Sequence, residues 1–214
     1  MDGIYRVQRH IYDFTRKPYL LGRDIMLREL LPPSGGSLLE VGCGTARNLI
    51  CAARLYPKLR CFGFDVSRAM LETAAASIVR TRLTERISLA LADADAFEPK
   101  AAFGVARFDR IVISYALSMI PGWEAVLEAA LDMLEPEGAL LIVDFGDQND
   151  LPRWFRKILF VWLRLFSVTP RLDLSDAIKR IALKREYKYQ ARRLYGGYAI
   201  LAIIHSSEYV KSAE

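Results

Sequence analysis

Apolar and polar residues follow one another along this chain with two different periods. Short apolar runs at 38–41, 61–64, 87–92, 110–114 and 140–145 read as strands buried on both faces. Between them, at 46–55, 68–82 and 123–134, apolar residues recur three and four apart, which is helical spacing. Strands alternating with helices predict right-handed βαβ units and a parallel sheet. The order changes beyond residue 150. Helical patterns at 153–166 and 174–183, the second capped by Asp173, precede alternating runs at 186–194 and 198–205. Gly196-Gly197 between those runs predicts an antiparallel pair. The chain therefore reads as one α/β unit at 36–205, an N-terminal segment at 1–35 and a tail at 206–214. Its length suits a single well-filled core.

One junction carries candidate chemistry. Ser37-Leu-Leu-Glu-Val-Gly-Cys-Gly-Thr45 ends an apolar run in Gly42-x-Gly44, and a helical pattern starts at once. The glycines let a ligand approach the backbone, and the free N–H groups of the first helical turn point at it. Asp65, followed by Val66, closes the next strand, where a carboxylate can accept two ribose hydroxyls. A dinucleotide would call for a third glycine where Arg47 stands, and its pyrophosphate would sit badly beside Glu40. A carboxylate there suits a cation instead. The pattern E-x-G-x-G-T resembles the first motif of class I methyltransferases, whose cofactor S-adenosyl-L-methionine carries a sulfonium and an ammonium. That resemblance implies a Rossmann-like fold: a mostly parallel seven-stranded sheet with a C-terminal antiparallel hairpin. It also implies an N-terminal helical segment covering the cofactor. Ala46 replaces a glycine common in the motif, and alanine is small and favours the helix.

The same resemblance implies that Asp93 meets the adenine amine and the Ala94 N–H a ring nitrogen, with Asp95 as the register-shifted alternative. Ser114 and Tyr115 leave the fourth strand at the carboxyl edge, where ligands bind in open α/β folds. Tyr115 packed with its hydroxyl on backbone is the plainer reading. Tyr19 and Arg23 lie far enough ahead of the glycine turn to reach the cofactor's methionine carboxylate, Arg23 through a charge-assisted pair. A surface helix with its basic residues in solvent is the alternative.

Charge is segregated. Residues 36–150 hold 11 basic and 16 acidic side chains, against 12 and 3 at 153–193 and 6 and 3 at 1–28. An acidic cofactor half between basic flanks suits an anionic partner, either phospholipid headgroups or nucleic acid. A merely solvated basic surface is the competing reading. Tyr187 and Tyr189 stand among basic residues, but no nucleic-acid module is recognisable, so a membrane surface is expected and nucleic acid is not. Cys43, Cys51 and Cys61 at unpatterned spacing predict neither a disulfide set nor a metal site, and point to a reducing cytoplasm. The first residues lack a signal-peptide core, and no window reaches the ~18 apolar residues of a spanning helix. The expectation is a cytoplasmic protein peripheral to the inner face of a membrane.

The pattern at 153–166 has Arg153, Lys157 and Arg164 on one face and Trp154 and Trp162 near its ends. Such a helix suits the headgroup layer. Burial against the sheet would account for one apolar face, though not for apolar residues on nearly every face.

Several blocks extend the resemblance. Tyr5-Arg-x-Gln8-Arg-His-Ile-Tyr-Asp13, Gly-Arg-Asp at 22–24 and Gly42-Cys-Gly-Thr-x-Arg-Asn48 resemble the bacterial betaine-lipid N-methyltransferases. So do Ile113-Ser-Tyr-Ala-Leu-Ser-Met-Ile-Pro121, Val143-Asp-Phe-Gly146, Leu-Pro-Arg-Trp-Phe at 151–155 and Leu194-Tyr-x-Gly-Tyr198. That family methylates the amine of diacylglyceryl-homoserine to diacylglyceryl-trimethylhomoserine. The resemblance implies a lipid substrate, an anionic membrane surface as peripheral partner, and a partner enzyme that makes diacylglyceryl-homoserine. Phosphatidylethanolamine N-methyltransferases are the alternative, and small-molecule or RNA methyltransferases a second one. Methyl transfer to an amine keeps a cation in the site throughout, and tyrosine faces hold a cation without a salt bridge. Candidates are Tyr12, Tyr19, Tyr115, Tyr195 and Tyr198, the catalytic set being Tyr19, Tyr115, Tyr195 and Tyr198, with His10 as a proton acceptor.

Overall fold

The computed structural model describes residues 20–165, 171, 173–207 and 209, apart from the side chains of residues 160, 162, 164 and 165. The roles expected of His10, Tyr12, Tyr19, and the Trp162 and Arg164 side chains lie outside the described residues.

The apolar runs pair as strands. β1 (Ser37–Val41), β2 (Arg60–Asp65), β3 (Ile87–Leu91), β4 (Phe108–Ser114) and β5 (Leu134–Phe145) run parallel, and β6 (Lys188–Leu194) and β7 (Ala199–His205) close the sheet in the order β3-β2-β1-β4-β5-β7-β6. The hairpin joins by its second strand: β7 is antiparallel to both β5 and β6. The chain builds outward from β1 to β3 and then returns to β4 on the other side of β1. The crevice between β1 and β4 is therefore the topological switch point, where open α/β sheets bind ligands.

Neighbouring residues on a strand feed opposite cores, as the pleat requires. Leu38, Val112 and Leu141 pack on one face, with α1 (Arg23–Arg28), α2 (Arg47–Leu55), α3 (Arg68–Arg80) and α6 (Arg153–Leu165). Leu39, Ile111 and Leu140 pack on the other, with α5 (Trp123–Asp132) and α7 (Leu174–Lys184). A short α4 (Pro99–Phe103), absent from the periodicity, opens on a proline, which the first helical turn tolerates.

Buried Arg110, near the start of β4, anchors the segment that leads from α1 into β1. Its guanidinium donates to the Leu30 and Leu31 carbonyls, each at 2.6 Å, so the segment after α1 is held on the sheet. Three local expectations change. Asp173 occupies the position before α7, but its side chain makes no capping bond. The pairing Leu194↔Ala199 leaves a four-residue turn, 195–198, with Tyr195, Gly196 and Gly197 all at positive φ. Ala46 is not helical: it lies at φ +59° immediately before α2.

Candidate active site

The glycine turn lies at the carboxyl end of β1. Gly42 has φ +67°, and a Cβ there would come within 3.0 Å of the Ala116 Cβ. Conformation and close packing both call for glycine. The Gly44 N–H donates to Asp65 Oδ2 at 2.8 Å, and the Ser67 N–H to Asp65 Oδ1 at 2.9 Å. Asp65 is thereby locked at the end of β2. Ala46 follows in the left-handed region, which costs a residue with a Cβ about 1–2 kcal/mol. Helix propensity is not what places alanine there.

Glu40 is 2 % exposed. Its Oε1 accepts from Asn48 Nδ2 at 2.7 Å, while Oε2 is buried with no partner among the described residues. Burial pushes its pKa up to about 8, against the opposing pull of Asn48 and Arg23. Burial likewise lowers the pKa of Arg23, whose Nε donates to the Leu20 carbonyl at 3.0 Å. Arg47 pairs with Asp24 at 2.6 Å and so ties α1 to the turn.

These groups surround a cavity of about 260 Å³. Arg23, Glu40, Gly42, Gly44, Asp65, Val66, Asp93, Ala94 and Ser114 all line it, as does Tyr115. Asp95 does not line it and lies beside Gly122 instead. Tyr115 is buried at φ +56°, and its hydroxyl donates to the Leu21 carbonyl at 2.7 Å. Its hydroxyl is thereby engaged by backbone. Tyr195 is half exposed at the tip of the β6–β7 turn, and buried Tyr198 packs on Phe145 and Phe155; neither lines the cavity. Asn48 and Arg47 were not among the expected site residues. A single amide on the otherwise apolar inner face of α2 was the available signal for Asn48.

Residues 14–187 match the methyltransferase-domain family. The chain belongs to that family. It is 30 % identical over 149 residues to an uncharacterized protein of Rickettsia prowazekii, covering 67 % of this chain and 55 % of that one. It is 32 % identical over 104 residues to the trans-aconitate 2-methyltransferase of Methylobacterium radiotolerans, covering 49 % and 36 %. This methyltransferase thus spans little more than half, or less, of the length of those two relatives. The Bacillus subtilis YcgJ structure superposes with a TM-score of 0.67 at 16 % identity, over 86 % of this chain and 97 % of that one. The S-adenosylmethionine-dependent methyltransferase SibL gives 0.66 at 20 %, over 95 % and 58 %. Likeness at such identities is one of fold: the Rossmann-like methyltransferase sheet. The cofactor is S-adenosyl-L-methionine.

The residues of the cavity fit that group. Glu40 Oε2 and Ser114 Oγ are buried polar atoms without partners among the described residues, and both residues line the cavity. A cation beside Glu40 would compensate the carboxylate that burial alone disfavours. The glycine turn leaves backbone open to close approach, since a Cβ on Gly44 would meet nothing within 4 Å. Among the described residues no His, Cys, Asp and Glu cluster could hold a metal.

Proposed function

We propose that this methyltransferase acts on the amine of a lipid headgroup at a membrane surface, converting diacylglyceryl-homoserine to diacylglyceryl-trimethylhomoserine. One observation carries the lipid reading. On α6, Trp154, Ile158 and Val161 are 65 %, 61 % and 63 % exposed, while Leu159 and Leu163 are buried in the core. The exposed residues are spaced four and three apart and so share a face. Exposed Arg153, Arg156 and Lys157 flank them. Packing on the sheet explains the buried side of α6 and leaves the outer stripe unexplained. An apolar stripe beside cations suits an anionic headgroup layer. Among the described residues no helix is long and apolar enough to cross a membrane. A row of rings also leads from cavity to stripe: Tyr115 to Phe145 at 4.8 Å, Phe145 to Tyr198 at 6.0 Å, Tyr198 to Phe155 at 6.5 Å, and Phe155 to Trp154 at 5.9 Å.

In this reading Glu40 lies by the cofactor's cationic end, Arg23 binds its carboxylate, and Asp65 accepts its ribose hydroxyls. Val66 borders the adenine, while Asp93 and the Ala94 N–H meet its edge. The bound cofactor supplies a methyl group made electrophilic by the sulfonium. The ring face of Tyr115 holds the acceptor nitrogen without a salt bridge, which would favour the unreactive protonated amine. Tyr195 and Tyr198 would serve from the aromatic row, and Tyr19 remains a candidate on the N-terminal side. A partner enzyme would supply diacylglyceryl-homoserine.

Two other substrates are compatible with the fold. Phosphatidylethanolamine needs the same cofactor and surface, and the similarity to a trans-aconitate methyltransferase favours a small soluble acceptor. Mass spectrometry of lipids from cells expressing the protein separates them. Trimethylhomoserine lipid is the expected product. Methylated ethanolamine lipid would move the headgroup assignment, and an unchanged lipid profile would sink the lipid reading.

A further inference from the structure

The cavity is charged on one side and nearly neutral on the other. Its charged lining residues are Arg23 from α1, Glu40 from β1, Arg47 from α2, Asp65 at the end of β2 and Asp93 just beyond β3. The end of β4 and the loop after it contribute Ser114, Tyr115, Ala116, Met119 and Ile120. The Tyr115 hydroxyl is taken by the Leu21 carbonyl at 2.7 Å. Ser114 Oγ is buried with no hydrogen-bond partner among the described residues. It is the one side-chain nitrogen or oxygen that this wall has left for a ligand, and the cofactor contacts set out above do not use it.

Backbone strain brings this hydroxyl and the tyrosine ring onto one face. Along β4, Ile111 and Ile113 pack in one core and Val112 in the other. Strand alternation puts Ser114 on the side of Val112 and would put Tyr115 on the side of Ile113. Tyr115 instead packs in the Val112 core, because its φ of +56° turns the chain back at the end of the strand. Glu40 pairs with Val112 and Val41 with Ile113, so Ser114 lies beside Gly42, across the switch point from the glycine turn. Ser114 is part buried, and rotation about its single side-chain torsion turns Oγ toward a ligand in the cavity. An unpartnered buried hydroxyl and a left-handed tyrosine each cost stability. Two such costs at consecutive residues mark a place that a ligand completes.

We propose that Ser114 Oγ accepts a hydrogen bond from the N–H of the acceptor amine and is a catalytic residue of the transfer. This role rests on the amine-methyltransferase reading. The amine lone pair forms the N–C bond, the C–S bond breaks with its electrons passing to sulfur, and the cofactor leaves as the neutral thioether. Positive charge grows on nitrogen meanwhile, so its N–H becomes a better donor and the bond to Oγ is stronger in the transition state than before it. A neutral hydroxyl does this without favouring the protonated amine, as a carboxylate would. The product ammonium gives up its proton to solvent before the next transfer. Primary and monomethyl amines carry an N–H, whereas a dimethyl amine has a lone pair and none. Ser114 therefore assists the first and second transfers and has nothing to bond in the third.

Single-turnover methyl transfer at saturating S-adenosyl-L-methionine tests this. The probes are diacylglyceryl-homoserine and phosphatidylethanolamine in anionic vesicles, each supplied as free amine, N-methyl and N,N-dimethyl form. Ser114→Ala should slow the first two transfers about tenfold and leave the third within about twofold of wild type. S-adenosylhomocysteine affinity by calorimetry and the midpoint of denaturant unfolding should not fall, since the deleted hydroxyl has no partner among the described residues. A merely structural role would slow all three transfers alike. That result, or no slowing of any transfer, would overturn the proposal. Weaker cofactor binding with unchanged rates at saturation would also overturn it, by assigning the hydroxyl to the cofactor. A wild type that methylates none of the six probes would remove the lipid-amine reading itself, and the role of Ser114 with it.

Discussion

Where β1 and β2 end, the polar groups largely satisfy one another: Asp65 takes two backbone N–H groups, Asn48 holds Glu40, and Arg47 holds Asp24. Where β4 and β5 end, Ser118, Gln148 and Arg171 keep unpaired atoms, Tyr115 and Gln148 sit in left-handed backbone, and α6 shows solvent an apolar stripe. The first region is organised before the cofactor arrives, apart from Glu40 Oε2. In the proposed reading the second is completed by an acceptor and a membrane surface. Preorganisation around a shared cofactor and incompleteness around a particular acceptor divide the labour of the site.

Separate substitutions should break one region and spare the other. The largest effect is expected from Arg153→Ala, Arg156→Ala and Lys157→Ala together. At ~1 kcal/mol per cation near an anionic surface, vesicle affinity should fall about a hundredfold at low salt. Co-sedimentation with anionic and neutral vesicles checks this, and S-adenosyl-L-methionine affinity should not move. Asp65→Ala should do the reverse, losing about 1.5–3 kcal/mol of cofactor binding by calorimetry with vesicle binding intact.

Tyr115→Ala should lower turnover on a lipid amine up to about thirtyfold, as the loss of ~2 kcal/mol of cation–π attraction implies, with a smaller effect on cofactor affinity. Tyr115→Phe, which keeps the ring and gives up only the bond to Leu21, should retain most turnover. Equal losses in both variants would assign the hydroxyl, rather than the ring, to catalysis.

Glu40 has a stability signature. Its pKa stands at about 8 in the cofactor-free fold against an ordinary 4.5, so between those values the folded state binds a proton that the unfolded chain releases. Stability therefore falls as pH rises through that window. Asp144, raised to about 6 by burial, adds a fall of the same sign at lower pH. Between pH 6 and 8 the wild type should lose roughly 5 °C of Tm. Glu40→Gln should be nearly flat there, and so should the wild type saturated with cofactor, whose cationic end keeps the carboxylate ionised.

The smallest effect is expected at Ala46. Relief of its left-handed backbone in Ala46→Gly offsets both a lost buried methyl and a freer unfolded chain, so denaturant unfolding should shift by less than about 1 kcal/mol.

What the sequence made legible follows the same division. The strand ends at Glu40 and Asp65 and the glycines between them are local signals, and the cavity gathers those residues together. Ala46 misled because propensity tables describe helix interiors, whereas the chain must bend between Gly44 and α2. Tyr195 and Tyr198 were candidates through the resemblance of Leu194-Tyr-x-Gly-Tyr198 and the cation-holding chemistry of tyrosine, but a four-residue turn exposes the first and buries the second against Phe145. Ser118, Gln148 and Arg171 were invisible because an unpaired atom is a property of burial, which only tertiary structure creates. The outer stripe of α6 was visible as apolar residues on nearly every face, since no single packing partner could cover them all.

Reconstitution tests the central claim most directly. Purified protein is given methyl-labelled S-adenosyl-L-methionine and anionic vesicles containing diacylglyceryl-homoserine, and the lipids are followed by mass spectrometry. The expected result is successive methyl additions ending at the trimethyl form, slowed by high salt and by loss of the α6 cations. A protein that binds the cofactor and methylates a soluble acceptor, yet leaves the lipid amine untouched, would contradict the account.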